Sequence, residues 1–545
     1  MLPGLEPRAR RLYAASMRRR HACLLFLASA ALPTTAWAAS PVALQPAKPG
    51  WDALLRLSAR LRALDADGLN PAHYTIPADA QANVDPQAYT TALYAAALAA
   101  LGDLLQGRVR GLPDRPDLRR DTVAMVAWQA RLYGHAEPAE VIEQAALLPP
   151  GMEALRLALQ AARARVAAGG WPPVPNTGGT IEPAASDPER VPALRARIAA
   201  EDPVLAATVP ADPALYDEAL LEAVRRWQAA NGLEQDGRVG PATLSLMNRP
   251  AEARVNQIRV AMDMRRAAPR PQPGRRIEVN IPEFRLRLLD GSRTLLEMAV
   301  IVGKPARATP LLSVTMTTVQ FNPPWGVPER NAREDLLPKF RRDPRAMIEK
   351  GFRIYQYVGG ERVEVDPLTV NWAGIDPQHI PYFFRQDAGD SNALGRIKFI
   401  MPNSDDIYLH DTPERNLFSR PSRAFSSGCI RLERPMELLD AVLDGTTGWD
   451  RARATQVLDS RQTTAVGLRR PLPVRLFYQT VTVEPDGVRI RPDIYGLDAA
   501  YARALDGRAS PAPATAVMAA TPRPQAATRV QAEKVPAAAA AVVAR

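Results

Sequence analysis

IYLHDTPERNLFSRPSRAFSSGCIRL, residues 407–432, concentrates the chemistry of this chain. Ile407 to His410 reads as a strand, which puts Tyr408 and His410 on one face and Ile407 and Leu409 on the other. Cys429 follows Ser426-Ser427-Gly428, where a glycine lets the backbone come close to a bound carbonyl. Acyl transfer by a thiol needs a thiolate, a base to take its proton and N–H donors for the oxyanion. An imidazole is the usual device for lowering a thiol pKa. The segment therefore predicts Cys429 as a low-pKa nucleophile, His410 as its base, and the amides of Gly428 and Cys429 as oxyanion donors.

The rest of the cysteine usage supports a reactive thiol. There are two cysteines, and Cys23 lies in a leader-like stretch, MRRRHACLLFLASAALPTTAWA from Met17. Arg18 to Arg20 supply positive charge, Ala22 to Leu32 an apolar run, and Ala36-Trp37-Ala38 a small-residue cleavage pattern. The run is shorter than the roughly 20 residues of a membrane span. Residues 1–38 are thus expected to be a cleaved export signal, with Met17 as a candidate start, and no later segment is expected to span a bilayer. Cys429 would then be unpaired in an oxidising compartment, which marks a reactive thiol rather than a small buried apolar residue.

Working outward, the strand pattern extends upstream. Ile277, Val279 and Ile281 alternate, then Phe284, Leu286 and Leu288, with Asp290-Gly291 as a turn before Leu296, Met298, Val300 and Val302. A mainly β domain is predicted over 275–470, with Ile397 to Ile400 as another strand. Helix-like and polar segments such as AREDLLPKFRRDPRAMIEKG interrupt it, so 328–392 is read as a capping insertion. Strands within Val474 to Ile490 are expected to pack on this domain as part of 471–505. The Ala/Pro-rich tail, 506–545, is expected to be disordered. Upstream, Ala92, Leu93, Ala96, Ala97 and Leu101 form a helical stripe in an Ala/Leu-rich scaffold over 50–165. The Gly/Pro-rich GGWPPVPNTGGTIEPAASD, 169–187, marks a linker over 166–205, and 251–274 is read as a connector.

Between them lies PALYDEALLEAVRRWQAANGLEQDGRVGPATLSLMN, residues 213–248. Leu220, Ala223, Val224 and Trp227 share a helical face, Asn231-Gly232 can end that helix, and Asp236-Gly237 makes a turn. Trp227, Gln228, Gly232, Leu233, Asp236, Gly237, Gly240 and Thr243 together resemble the small three-helix peptidoglycan-binding module, here placed at 206–250. Most of these residues set the module's fold and are not assigned ligand contacts.

His410, then Ser426-Ser427-Gly428-Cys429, then Arg431 resembles the YkuD-type L,D-transpeptidase motif. Many members carry a second His just before the glycine. The Ser427 found here, with HDTP before the loop, is similar to the large Gram-negative, YcbB-like branch. VNIPEFRL, VGKPARATP, FNPPWGVP, NALGRIKFIMPN and RPDIYGLD extend the resemblance. It implies an α+β multidomain protein with a mainly β catalytic domain. It also implies that Cys429 forms a thioester with a donor tetrapeptide stem, releasing D-Ala, while His410 handles protons. Arg431, Ser426, Ser427, Tyr408, Asn392 and Arg396 become substrate-binding or pocket-shaping candidates, with a salt bridge as the alternative for Arg431. Trp325 and Trp372 are read as cleft or core residues.

The bulk properties agree with such a reading. At 545 residues the chain needs several cores, and its 46% hydrophobic and 23% charged composition is globular. A net charge of +11 suits an anionic partner. No basic-aromatic array suggests nucleic acid. The expected partners are peptidoglycan donor and acceptor stems and other wall-synthesis enzymes. The expected location is the periplasm, with at most a peripheral membrane contact. His73, His135 and His379 match no metal spacing, so no metal and no organic cofactor is expected. Hydrolysis by the same dyad, as an L,D-carboxypeptidase or endopeptidase, stays open because water and an amine compete for one thioester. A non-catalytic wall-binding scaffold and lipoprotein attachment to the wall are the further alternatives.

Overall fold

The computed structural model describes residues 49–112, 125–268, 273–485 and 487–507. The expected leader, 1–38, and the tail from 508 lie outside the described residues. The described residues contain fifteen strands, numbered in chain order. They are β1 (Arg275–Asn280), β2 (Arg285–Asp290), β3 (Arg293–Gly303), β4 (Leu312–Phe321), β5 (Trp325–Gly326), β6 (Phe352–Val358), β7 (Glu361–Val365) and β8 (Phe383–Gln386). After them come β9 (Ile397–Ile400), β10 (Leu409–His410), β11 (Ala424–Ser426), β12 (Ile430–Leu432), β13 (Thr464–Phe477), β14 (Val481–Glu484) and β15 (Gly487–Ile490).

The alternation seen in the sequence folds into one nine-stranded sheet, in the order β11-β3-β12-β10-β9-β4-β13-β1-β2. Pairing of β2 with β3 closes all of these strands except β11 into a ring. Gly291 turns the β2–β3 hairpin at a left-handed φ of 57°. Inside the ring, Ile277, Val279, Leu286, Val300, Phe399, Leu409 and Ile430 are fully buried. Helix Pro435–Leu443 adds Leu438 and Leu439 to this core. Each such side chain contributes about 1.5–3 kcal/mol of burial.

The insertion sits between β4 and β9. It forms its own four-stranded sheet, β5-β8-β6-β7, with helices Leu337–Arg342 and Pro344–Glu349. Phe340 stacks on Trp372 with centroids 4.5 Å apart, and Phe352, Ile354 and Phe384 complete a small core. The unit therefore starts at Trp325 and is partly β, where the sequence suggested helix-like and polar loop segments over 328–392. A two-residue strand such as β5 has no alternation to read.

Three other expectations are corrected. The predicted linker 166–205 contains helix Arg190–Ala199, whose Val191, Leu194 and Ile198 share the core of the downstream module with Leu220, Val224 and Trp227. Its helical period lies just behind the Gly/Pro stretch that suggested a linker. The segment after β13 stays only in part on the barrel, where Tyr478 lies in the core and Ile494, Tyr495 and Leu497 pack against it. The β14–β15 hairpin packs Val481 against helices Met152–Ala167 and Ala251–Ala267, and helix Leu497–Leu505 buries Tyr501, Ala502 and Leu505 in the N-terminal helical core. Finally, helix Pro86–Gln106 is long and apolar enough to cross a membrane by length and composition. Here its Leu93, Ala97, Leu101 and Leu104 are buried in the helical core, which accounts for its apolarity.

Candidate active site

Three neighbouring strands of the barrel wall carry the site on their outer face. Phe399 of β9 faces the core, so Lys398 and Ile400 face out; Leu409 faces the core, so Tyr408 and His410 face out. Ile430 and Leu432 are buried in β12, leaving Cys429 and Arg431 on the same outer face. The register puts His410 between Lys398 and Arg431, and the Ile430 N–H donates to the Tyr408 carbonyl at 3.1 Å. Lys398, Tyr408, His410, Cys429 and Arg431 thus line one cleft of about 830 Å³, whose far wall is made by Trp325, Arg330 and Asn331 of the insertion.

His410 is 4% exposed. Its Nδ1–H donates to the Asp411 carbonyl at 2.5 Å, which fixes the tautomer and leaves Nε2 as the acceptor. Burial pushes the imidazole pKa down to about 3, helped by the cations of Arg431 and Lys398 and opposed by the Asp411 and Leu394 backbone. Burial also pushes the Cys429 thiol up. The Tyr408 N–H and hydroxyl and the charge of Lys398 work the other way, favouring a thiolate, while Asp406 opposes them. The thiol faces the Asp406 carbonyl at 3.8 Å. The resting pair is therefore neutral thiol and neutral imidazole, in contrast to the low-pKa nucleophile expected from the sequence. The reason is desolvation, which composition alone does not reveal.

The turn before Cys429 is braced from within. Gly428 has a φ of 124°, open only to glycine, and its carbonyl accepts from Thr309 Oγ1 at 2.7 Å. Ser426 Oγ accepts from the Gly428 N–H at 3.1 Å and donates to the Cys429 carbonyl at 2.6 Å. Ser426 lines the cleft, but its hydroxyl serves the turn rather than a ligand. The Gly428 amide is likewise engaged, so of the two expected oxyanion donors only the Cys429 amide is left for that role. Ser427 is exposed and accepts hydrogen bonds from Arg307 and from Asn331 of the insertion.

Two expected binding residues lie elsewhere. Asn392 is fully buried; its amide donates to the Asp387 carbonyl at 2.9 Å and its oxygen accepts from Leu394 N at 2.7 Å, so it shapes the turn into β9. The Arg396 side chain donates to the Leu458 carbonyl, outside the cleft, while its backbone N–H donates to Asp411 at 2.9 Å. Arg431 lines the cleft and is paired with Glu414. Trp372 belongs to the core of the insertion, whereas Trp325 lines the cleft.

Lys398 was not singled out from the sequence. Its ammonium lies 3.8 Å from the Tyr408 ring centroid, and no carboxylate pairs with it among the described residues. The available signal was a lysine standing between Ile397 and Phe399 on the face opposite the core.

Two stretches of the chain match known families. Residues 274–454 match the family model of the L,D-transpeptidase catalytic domain, and residues 201–247 match that of a "Putative peptidoglycan binding domain". The stretch that forms the barrel and its cleft is therefore similar to the YkuD-type L,D-transpeptidase catalytic domain. More particularly, the stretch that matches a peptidoglycan-binding domain precedes the one that matches the catalytic domain. A "Putative L,D-transpeptidase" of Haemophilus influenzae is 42% identical over 247 residues, which are 45% of this chain and 49% of that protein. The chain thus spans about half the length of that relative. Solved L,D-transpeptidases from Mycobacterium smegmatis (14% identity, 37% of this chain and 58% of that one, TM-score 0.18) and Stackebrandtia nassauensis (12%, 55% and 97%, 0.19) also match.

Proposed function

We propose that this protein is a periplasmic L,D-transpeptidase that cross-links peptidoglycan stem peptides through a thioester on Cys429. The observation that carries this is the placement of Cys429, Tyr408 and His410 on adjoining strands at the floor of one cleft. In this reading the thiol loses its proton to His410 Nε2 as sulfur attacks the carbonyl carbon of the donor tetrapeptide. The imidazolium formed in this way returns that proton to the departing D-Ala nitrogen. The C–N bond breaks and the thioester remains. An acceptor amine then attacks, His410 takes its proton, and the carbon–sulfur bond breaks as the thiol is restored.

Tyr408 and Lys398 stabilise negative charge on sulfur in both halves of the cycle, and the Cys429 N–H serves the oxyanion. The peptidoglycan-binding domain raises the local concentration of stems by tethering. Incubation with purified tetrapeptide muropeptides, followed by mass spectrometry, tests the reading. Cross-linked dimers with loss of D-Ala are expected. Tripeptide monomers alone would make the protein a hydrolase, and unchanged substrate would refute an acyl-transfer role.

A further inference from the structure

The block VGKPARATP, residues 302–310, has no part in the chemistry described so far, yet it touches both the nucleophile turn and the insertion. The Arg307 side chain is only 4% exposed, at the end of the single 3₁₀ turn Pro305–Arg307. Its guanidinium grips Asp335 through both terminal nitrogens, at 2.5 and 3.0 Å, and Glu334 at 2.6 Å. The same guanidinium donates to Ser427 Oγ at 2.7 Å, and Asn331 of the insertion donates to that oxygen at 3.0 Å. A π-helical turn over Ala332–Leu336 holds the two consecutive acids, and such turns are frequent at functional sites.

The loop itself is locked onto the nucleophile turn. Lys304 N donates to the Ser426 carbonyl at 3.0 Å, and Thr309 Oγ1 accepts from Gly303 N at 2.9 Å while donating to the Gly428 carbonyl. A Cβ at Gly303 would overlap the loop's own backbone at Arg307 and Thr309, so this position requires glycine.

We infer that Arg307 is a positioning residue, the hub of a latch that docks the insertion on Ser427 and thereby orients Cys429 for acyl transfer. The inference rests on the reading of Cys429 as the nucleophile. It also gives a physical reason for serine at 427, where many members of the family it resembles carry histidine. A small hydroxyl can accept from Arg307 and Asn331 together, and an imidazole there would stand where the insertion seats. A planar guanidinium can join two carboxylates and a hydroxyl at once, which a lysine ammonium does not do with the same geometry.

The test compares Arg307→Ala, Arg307→Lys, Ser427→Ala and Ser427→Thr in the full chain. Backbone amide exchange over residues 329–342 and the steady-state constants for a soluble tetrapeptide muropeptide are both measured. Arg307→Ala should raise exchange in that segment about tenfold, because Asp335 loses its counter-charge and Glu334 keeps only Arg330 at 2.9 Å and Arg333 at 3.9 Å. It should lower kcat at least about tenfold with KM changed less than about threefold, since orientation and not affinity is lost. Arg307→Lys should recover little. Ser427→Ala leaves the ion pairs in place, keeps the fold, and should still lower kcat; Ser427→Thr retains the hydroxyl and should recover most of the loss. Alkylation of Cys429 by iodoacetamide should persist in every variant, showing an intact and accessible site. Raised exchange with unchanged kcat would overturn the inference, as would Ser427→Ala and Ser427→Thr behaving alike. If Cys429→Ala keeps its transferase activity, the nucleophile reading itself fails, while the exchange result for the latch still stands.

Discussion

Acidification should weaken the wild-type fold more than that of a His410→Gln variant. His410 is 4% exposed and its imidazole is held neutral down to about pH 3, against 6.5 for the free group. Below pH 6.5 the unfolded chain binds a proton at this residue while the folded chain does not. The stability that the neutral state contributes is thus complete above pH 6.5 and is lost progressively between there and pH 3. At about pH 4.5 the gap is about two pH units at 1.36 kcal/mol each, or about 2.7 kcal/mol. For a domain of this size that is about 5–10 °C in Tm. Calorimetry of both proteins at about pH 7.5 and about pH 4.5 gives the difference, because the carboxylates common to both cancel. A wild-type drop in Tm that exceeds the variant's by this amount is expected. Parallel behaviour of the two would refute a buried, neutral His410.

Cys429 alkylation by iodoacetamide should accelerate by about tenfold per pH unit through pH 9, since burial raises the thiol and the thiolate is the reacting form. A plateau beginning below pH 8 would contradict the neutral resting pair. Gly395→Ala should cost about 1–3 kcal/mol and depress transfer, because a Cβ there overlaps the Asp411 carboxylate beside the carbonyl that holds His410. An unchanged Tm with full turnover would refute it. Trp227, 6% exposed and donating to Glu201 at 2.9 Å, sits in the core of the unit that matches the peptidoglycan-binding family model. Trp227→Ala should lose about 3–5 kcal/mol locally and weaken sedimentation with sacculi, with turnover of soluble muropeptides kept within about twofold. Normal sacculus binding by that variant would end the tethering account.

The β domain and the chemistry-bearing segment were legible because both rest on strict periodicities. Alternation in Ile277–Ile281 and Leu286–Leu288 places one face in the core, and the same alternation puts Tyr408 and His410 on the other side of the wall. What escaped depends on long-range packing. Asn392 and Arg396 belong to a recognisable block, yet their side chains are consumed by backbone carbonyls at Asp387 and Leu458, far along the chain or across a turn. Lys398 gained its place only from the register that sets it beside His410. The electrostatics of the pair follow from burial, which converts an apparently activated thiol into a desolvated one. The helix in the supposed linker failed to show because Gly and Pro dominate the stretch before it. The destination of the C-terminal hairpin depends on the helices that receive it.

The central claim is that an acyl group passes through Cys429. Intact-protein mass spectrometry after brief mixing with a tetrapeptide donor, followed by peptide mapping, tests it most directly. The account predicts one adduct equal to the donor less its terminal D-Ala, confined to the peptide that contains Cys429 and absent from Cys429→Ala. Cross-linked product formed by Cys429→Ala, or a donor adduct on any other residue, would contradict it.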